Sequence, residues 1–285
     1  MPTTTAVPSI ELNNQTTIPQ LGFGVFQVPP EQTADTVTKA LEVGYRHIDT
    51  AQMYGNEQEV GVALASSGLA REDYYVTSKL NNSNHAPDDA RRAFDETLAK
   101  LGLEQIDLFL IHWPLSAVDA DQYVETWRTM AEFVADGRAR SIGVSNFQAS
   151  HLDRIVAETG VVPAVNQIEV HPYFINDDVR GASLRHGIEV EAWSPIAQGN
   201  VLGDETIGRI AAAHDKTPAQ VTLRWHVDRG DIVFPKSMSP ERMAENFDIF
   251  DFELTADEIA EIAGLDRGEE GRQGPNPDTF DYVPD

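Results

Sequence analysis

Gln20-Leu21-Gly22-Phe23-Gly24-Val25-Phe26-Gln27 is the stretch whose reading separates two folds. An apolar run with two glycines one residue apart, near the start of a chain, suggests a doubly wound open sheet, which carries G-x-G-x-x-G between its first strand and first helix. Gln27 stands where the third glycine belongs, so the fingerprint is incomplete. Downstream, short β-rich runs alternate with amphipathic stretches, the pattern of a parallel sheet with crossover helices. Eight strands are expected, near Gln20–Gly24, Arg46–Asp49, Tyr74–Ser78, Ile106–Ile111, Ser141–Val144, Ala164–Ile168, Glu189–Ala192 and Ile232–Phe234. Helical periodicity lies between them, near Thr33–Val43, Glu57–Ser66, Pro87–Lys100, Asp121–Asp136, His151–Thr159, Val179–His186 and Glu205–Ala213. Two capping boxes, Thr217-Pro218-Ala219-Gln220 and Thr255-Ala256-Asp257-Glu258, mark further helix starts.

Polar residues settle the choice of fold. Asp49, Lys79, His112, Ser145-Asn146, Gln167, Trp193-Ser194 and Lys236-Ser237 each fall at or just past the end of a predicted strand. In a barrel, chemistry collects at the C-terminal strand ends. We therefore expect an α/β protein, a (β/α)8 TIM barrel, as one domain over residues 1–285. Before it, Ser9–Leu12 and Gln15–Pro19 read as a hairpin turning at Asn13-Asn14 that plugs the barrel floor. The Gly-, Pro- and Asp-rich tail from Arg267 to Asp285 reads as a loop lying on the body.

With 285 residues, 41% of them hydrophobic, the chain can bury a substantial core. No apolar run approaches the roughly 20 residues a bilayer needs, and Met1 to Ser9 lacks the blocks of a signal peptide, so a soluble cytoplasmic protein is expected. Cysteine is absent, which excludes disulfides, thiolate nucleophiles and Cys-based zinc sites. The eight histidines are scattered without H-E-x-x-H, so no metal is expected. Lys+Arg is 21 against Asp+Glu 46, a net charge of 21 − 46 = −25. Such a field repels nucleic acid and anionic membranes, and neither is an expected partner. It fits a salty cytosol as well as a lysine-poor genome, and composition leaves both open. Any local basic cluster is informative against it.

Three segments carry the chemistry: Gly44-Tyr45-Arg46-His47-Ile48-Asp49-Thr50-Ala51-Gln52-Met53-Tyr54-Gly55-Asn56-Glu57, then Ser78-Lys79-Leu80, then Leu110-Ile111-His112-Trp113-Pro114. They resemble the signatures of the aldo-keto reductase family. Ile18-Pro19-Gln20-Leu21-Gly22-Phe23-Gly24-Val25-Phe26 and Val162-Pro163-Ala164-Val165-Asn166-Gln167-Ile168-Glu169 resemble its bacterial 2,5-diketo-D-gluconate reductase group most closely. The resemblance implies a catalytic tetrad of Asp49, Tyr54, Lys79 and His112. Physical chemistry gives those residue types complementary roles. Hydride addition to a carbonyl leaves an alkoxide, so a donor must deliver a proton as charge builds on oxygen. Tyrosine is a poor acid at neutral pH, and a nearby ammonium favours its anion. Tyr54 is thus expected to be the acid, Lys79 and Asp49 its tuning pair, and neutral His112 the group that orients the carbonyl. Taken singly, each has an ordinary explanation as turn packing, a cap, a solvated strand end or a satisfied core histidine. Together, at successive strand ends, they make coincidence a poor explanation.

Phe234-Pro235-Lys236-Ser237-Met238-Ser239-Pro240-Glu241-Arg242-Met243-Ala244-Glu245-Asn246 resembles the family segment that grips the adenosine phosphate. A 2′-phosphate wants a guanidinium, an ammonium and a helix N-terminus. Lys236, Ser237 and Arg242 offer these, with Glu245 and Asn246 beside them, and NADPH is expected over NADH. By resemblance, Ser145, Asn146 and Gln167 hold the nicotinamide carboxamide and Trp193 stacks on the ring. Ser194, Ile196 and Gln198 follow the pyrophosphate. Phe26, Met53, Asn81 and Trp113 line the pocket for a small carbonyl substrate, of keto-sugar or keto-acid type, with Phe280 and Tyr282 as a cap. Relatives commonly carry Trp at Asn81, and losing that indole enlarges or hydrates the pocket. A monomer is expected. The runner-up reading is an NADPH-binding regulatory module with little turnover.

Overall fold

The computed structural model describes residues 6–284, and in it the glycines of the opening stretch close a barrel. Eight parallel strands pair in chain order. They are β3 (Phe23–Gly24), β4 (His47–Asp49), β5 (Tyr75–Leu80), β6 (Ile106–Ile111), β7 (Ala139–Ser145), β8 (Val165–Glu169), β9 (Glu189–Trp193) and β10 (Ile232–Val233). Closure comes from the Gly22 amide donating to the Val233 carbonyl at 2.8 Å and the Val233 amide donating to the Gln20 carbonyl at 3.0 Å. A β-carbon at Gly22 would sit 2.9 Å from the His47 ring, so this glycine is required by close packing at the seam and not by a nucleotide.

Among the described residues, ten helices cover the sheet: α1 (Pro30–Val43), α2 (Glu57–Ser66), α3 (Pro87–Leu101), α4 (Gln122–Ala135), α5 (Ala149–Thr159), α6 (Asp177–Arg185), α7 (Glu205–Ala213), α8 (Pro218–Asp228), α9 (Pro240–Phe247) and α10 (Ala256–Ala263). Both predicted capping boxes form, with Thr217 accepting from the Gln220 amide and Thr255 from the Glu258 amide. The expected boundaries shift by at most three residues, and Ile106–Ile111, Glu57–Ser66 and Glu205–Ala213 not at all. The shift at β5 has a consequence: its ladder runs on through Lys79 and Leu80, which places Lys79 inside the strand rather than beyond it.

The hairpin β1 (Ser9–Glu11) and β2 (Thr17–Pro19) seals the floor. Leu12 and Ile18 pack with Tyr75, Leu108, Leu110, Val165 and Ile232 inside the barrel. Asn13 Nδ2 donates to the carbonyls of Pro163 and Gly187 at 2.7 and 3.2 Å, pinning the turn to the strand starts. The larger core lies between strands and helices, where Phe94 stacks on Phe133 at 4.0 Å and Trp127 and Trp225 are fully buried. With the floor plugged, the barrel is open for chemistry only at its top.

Most arginines on the outside are paired with acids, as in Arg91 with Asp88 and Glu132, yet the acidic excess persists. Self-repulsion of that charge opposes the compact state, and salt screens it over a Debye length that shrinks from about 10 Å at 0.1 M to about 3 Å at 1 M. The melting temperature is expected to rise between low salt and molar KCl. Scanning calorimetry across that range checks this, and a fall would mean that the surface ion pairs outweigh the repulsion.

Candidate active site

Backbone strain marks the working face. Of the nine non-glycine residues with positive φ among the described residues, seven (Gln27, Leu115, Asn146, Asn176, Ser194, Ala197 and Gln198) lie in loops that follow barrel strands on their C-terminal side. Such conformations cost of order 1–3 kcal/mol each and persist where the surroundings enforce them, typically at functional sites.

At the centre of that face, the Lys79 ammonium donates to both Asp49 oxygens at 2.7 and 2.8 Å, to the Thr50 carbonyl at 2.9 Å and to the Tyr54 hydroxyl at 3.4 Å. Lys79 is fully buried and Asp49 nearly so, each supplied by a neighbouring strand. Tyr54 is half-buried in the turn Gln52–Tyr54. That turn is fixed by its own neighbours. Gln52 Nε2 donates to the Ala93 carbonyl at 2.8 Å and its Oε1 accepts from the Asn81 amide at 2.7 Å, while Asn56 Nδ2 donates to the carbonyls of Val25 and Val28. His112 completes the group, its ring centroid 5.7 Å from that of Tyr54 and its Nδ1 buried without a partner among the described residues.

The electrostatics assign charge states. Burial, opposed by nearby acid and phenol, is the largest influence on Lys79, but Asp49 and Tyr54 together raise its pKa above the usual lysine value, so it is a cation. Burial likewise pushes the Tyr54 phenol up, with Asp49 adding to the rise and Lys79 opposing it. From the sequence, Lys79 is expected to make Tyr54 more acidic. Its pull is present, but desolvation outweighs it, and Tyr54 is held as a neutral phenol. Burial, with Lys79 and His85 adding to it, drives the His112 pKa well below the usual histidine value, so its imidazole is neutral.

Beside these four residues, the half-buried indole of Trp193 is held by a short chain of hydrogen bonds. Trp193 Nε1 donates to Asn146 Oδ1 at 2.9 Å, and Asn146 Nδ2 donates to the His112 carbonyl at 3.0 Å and to Ser145 Oγ at 3.1 Å. The indole is thereby locked in orientation. Gln167 spends both amide hydrogens, donating to Asp49 Oδ2 at 2.9 Å and Glu191 Oε2 at 3.0 Å, which leaves its Oε1 as the atom available to a ligand. Ser194, half-buried Ile196 and exposed Gln198 follow in the kinked loop after β9. Across the barrel seam, Ser239 caps α9 by accepting from the Arg242 amide at 3.4 Å. Lys236 and Arg242 are exposed, with Ser237 half-buried between them. The other four lysines, Lys39, Lys79, Lys100 and Lys216, each pair with an acid, and Lys236 alone has no ion pair among the described residues. In so acidic a chain, a bare ammonium and guanidinium at one helix start fit a phosphate. Glu245 accepts from the Thr217 hydroxyl at 2.7 Å, and Asn246 is buried next to it. The residues present fit a phosphorylated dinucleotide.

The substrate side is aromatic with one polar break. Phe26 is 55% exposed and its ring lies 5.0 Å from that of Tyr54. Met53 is half-buried in the same turn as Tyr54. Trp113 is buried and packed at 4.1 Å against Phe280 of the tail, so the tail lies over this indole. Tyr282 lies beyond it, its ring centroid 6.4 Å from that of Phe280 and its carbonyl accepting from Asn82 Nδ2 at 2.9 Å, and it is 55% exposed. Asn81 is half-buried, with Oδ1 unpartnered among the described residues. The tail is strapped down by buried Glu169, whose oxygens accept from the amides of Gln273 at 2.6 Å and Gly274 at 2.9 Å.

Glu169, His85 and Glu191 were not singled out from the sequence. For Glu191 a signal existed: in Glu189-Val190-Glu191-Ala192-Trp193, period two puts Glu191 on the same face as Trp193. Nothing in the local sequence tells that this face is the closed interior.

The eight-stranded α/β barrel thus gathers at its top a phenol, a buried ammonium–carboxylate pair and a neutral imidazole, groups able to exchange a proton with a polarised oxygen. The chain belongs to the aldo/keto reductase family, whose model matches residues 20–267. It is 50% identical over 276 residues to an aldo-keto reductase of Mycolicibacterium smegmatis, covering 97% of this chain and 99% of that one. It is 47% identical over 273 residues to the methylglyoxal reductase DkgA of Escherichia coli K12, covering 95% and 97%. Among solved structures, a mutant of Gox0644 in complex with NADPH superposes with a TM-score of 0.93 at 45% identity, covering 98% of this chain and all of that one.

Proposed function

We propose that this protein reduces aldehydes and ketones to alcohols by hydride transfer, with Tyr54 as the general acid. The observation that carries the reading is the buried Lys79 ammonium shared between Asp49 and the Tyr54 hydroxyl. NADPH, the cofactor, supplies the hydride when bound. The chain's own residues do the rest. Tyr54 stays protonated at neutral pH, the state an acid needs, and hands its proton to the substrate oxygen as charge develops there. Lys79 steadies the phenolate that is left, and Asp49 keeps that ammonium charged and aimed. Neutral His112 donates to the carbonyl and orients it. Trp193 stacks on the nicotinamide, and Ser145, Asn146 and the free Oε1 of Gln167 meet its carboxamide. Ser194, Ile196 and Gln198 track the pyrophosphate, Lys236, Ser237 and Arg242 take the 2′-phosphate, and Glu245 and Asn246 border the adenosine. Phe26, Met53, Asn81 and Trp113 line the substrate pocket.

The substrates we propose are small and neutral or polyhydroxylated, dicarbonyls and keto-sugars foremost. The likeness to a methylglyoxal reductase supports the first and the polar Asn81 wall the second. Keto-acids, which are anions, are a second candidate class for the same carbonyl chemistry. The reading takes the chain as a cytoplasmic monomer without nucleic-acid or membrane partners, supported by its net charge of −25. NADPH oxidation with a panel of aldehydes, dicarbonyls, keto-sugars and keto-acids tests it. Turnover of at least one is expected, and fluorescence quenching by NADPH with no turnover at all would favour a binding module. Arg242→Ala removes a charge-assisted contact of about 1.5–3 kcal/mol, roughly a 10- to 100-fold weakening. Titration should show that loss for NADPH and almost none for NADH. Equal losses would put the phosphate elsewhere.

A further inference from the structure

Beneath the tetrad, in the closed part of the barrel, lies a carboxyl group that the reading above leaves unused. Glu191 of β9 is fully buried, and its Oε1 has no hydrogen-bond partner among the described residues. Its Oε2 accepts from Gln167 Nε2, whose second hydrogen goes to Asp49, and Asp49 holds Lys79, which reaches Tyr54. One unbroken line of contacts thus runs from Glu191 to the proposed acid. The groups that face it are Asp49 of β4, Lys79 and, below them, Tyr75 of β5, with Gln167 of β8 between. Among the described residues, no cation pairs with it directly. A second carboxylate charge next to Asp49, sharing its single ammonium, would be costly in so dry a place.

We infer that Glu191 is a positioning residue for carbonyl reduction, which works as a neutral carboxylic acid that fixes the Gln167 amide. In that state Gln167 keeps its oxygen toward the cofactor side, and Lys79 answers to one carboxylate only. Ionisation would tighten the Gln167–Glu191 contact and add negative charge behind Asp49, making Tyr54 a weaker acid. The physical support is consistent: burial, with Asp49 next, raises the Glu191 pKa to about 8, against the Gln167 bond and the Lys79 charge that lower it. This inference rests on the proposed reduction by Tyr54.

The test is the pH profile of kcat/KM with a neutral, non-titrating aldehyde, for the wild type and for Glu191→Gln, which keeps the acceptor for Gln167 but cannot ionise. Between pH 7 and 9 the wild type should fall by several-fold, up to the roughly tenfold limit that a single ionisation near 8 sets, and the variant by less than about twofold. Superimposable limbs would overturn the inference while leaving the Tyr54 reading intact. A second measurement needs neither cofactor nor turnover. The folded pKa is raised above the unfolded value, so the folded state binds the extra proton between them, and wild-type stability must fall as pH climbs toward about 8. The melting temperature of the wild type should therefore drop relative to Glu191→Gln between pH 5 and 9. Parallel melting curves would overturn the inference even if no substrate were found.

Discussion

Tyr54→Phe is expected to lower kcat by roughly two to four orders of magnitude, the contribution of a positioned general acid, and to leave NADPH affinity nearly unchanged. The substitution removes one oxygen. The ring keeps its place beside Phe26 and His112, and Lys79 keeps Asp49 and the Thr50 carbonyl as partners, so the site does not collapse. Fluorescence titration and steady-state kinetics separate the two effects. Substantial residual turnover would shift the acid to His112, which is difficult to reconcile with an imidazole whose pKa burial has driven well below its usual value.

Asp49→Asn should cost more than activity. Breaking a buried pair by neutralising one partner leaves the other charge uncompensated, at about 3–5 kcal/mol. Among the described residues Lys79 has no other acid in contact: its remaining acceptors are the Thr50 carbonyl and the Tyr54 hydroxyl. For a domain of this size the loss amounts to roughly 10 °C in melting temperature. Lys79 would then sit in a dry pocket without a counter-charge, its pKa would fall, and with it the support for a phenolate at Tyr54. Calorimetry reads the first effect and the kcat profile the second. A variant as stable as the wild type would mean that water or a neighbour such as Glu191 takes up the ammonium.

Much of this was readable from residues alone, for identifiable reasons. The strand order follows chain order, so counting alternations was enough to reach a barrel, and the α8 and α10 starts were written in their capping boxes. The clustering of Asp49, Tyr54, Lys79 and His112 was legible because they sit within short motifs around three strands. Contacts between distant segments were not. The link from Gln167 to Asp49 spans 118 residues, and the strap from Glu169 to Gln273 spans 104. No local pattern encodes either.

Gly22 and Gly24 show the division. Sequence by itself determined that no third glycine follows them, which removed the open-sheet fingerprint, and that the polar residues fall at strand ends, which selected the barrel. Periodicity and caps are properties of neighbouring residues, so they survive without a fold. Only the tertiary structure decided that Gly22 is the seam facing His47, that burial outweighs Lys79 in setting the Tyr54 phenol, and that Glu191 lies under Asp49. Those outcomes depend on how much water is excluded and which charges share the enclosed space, and neither quantity exists until the barrel closes.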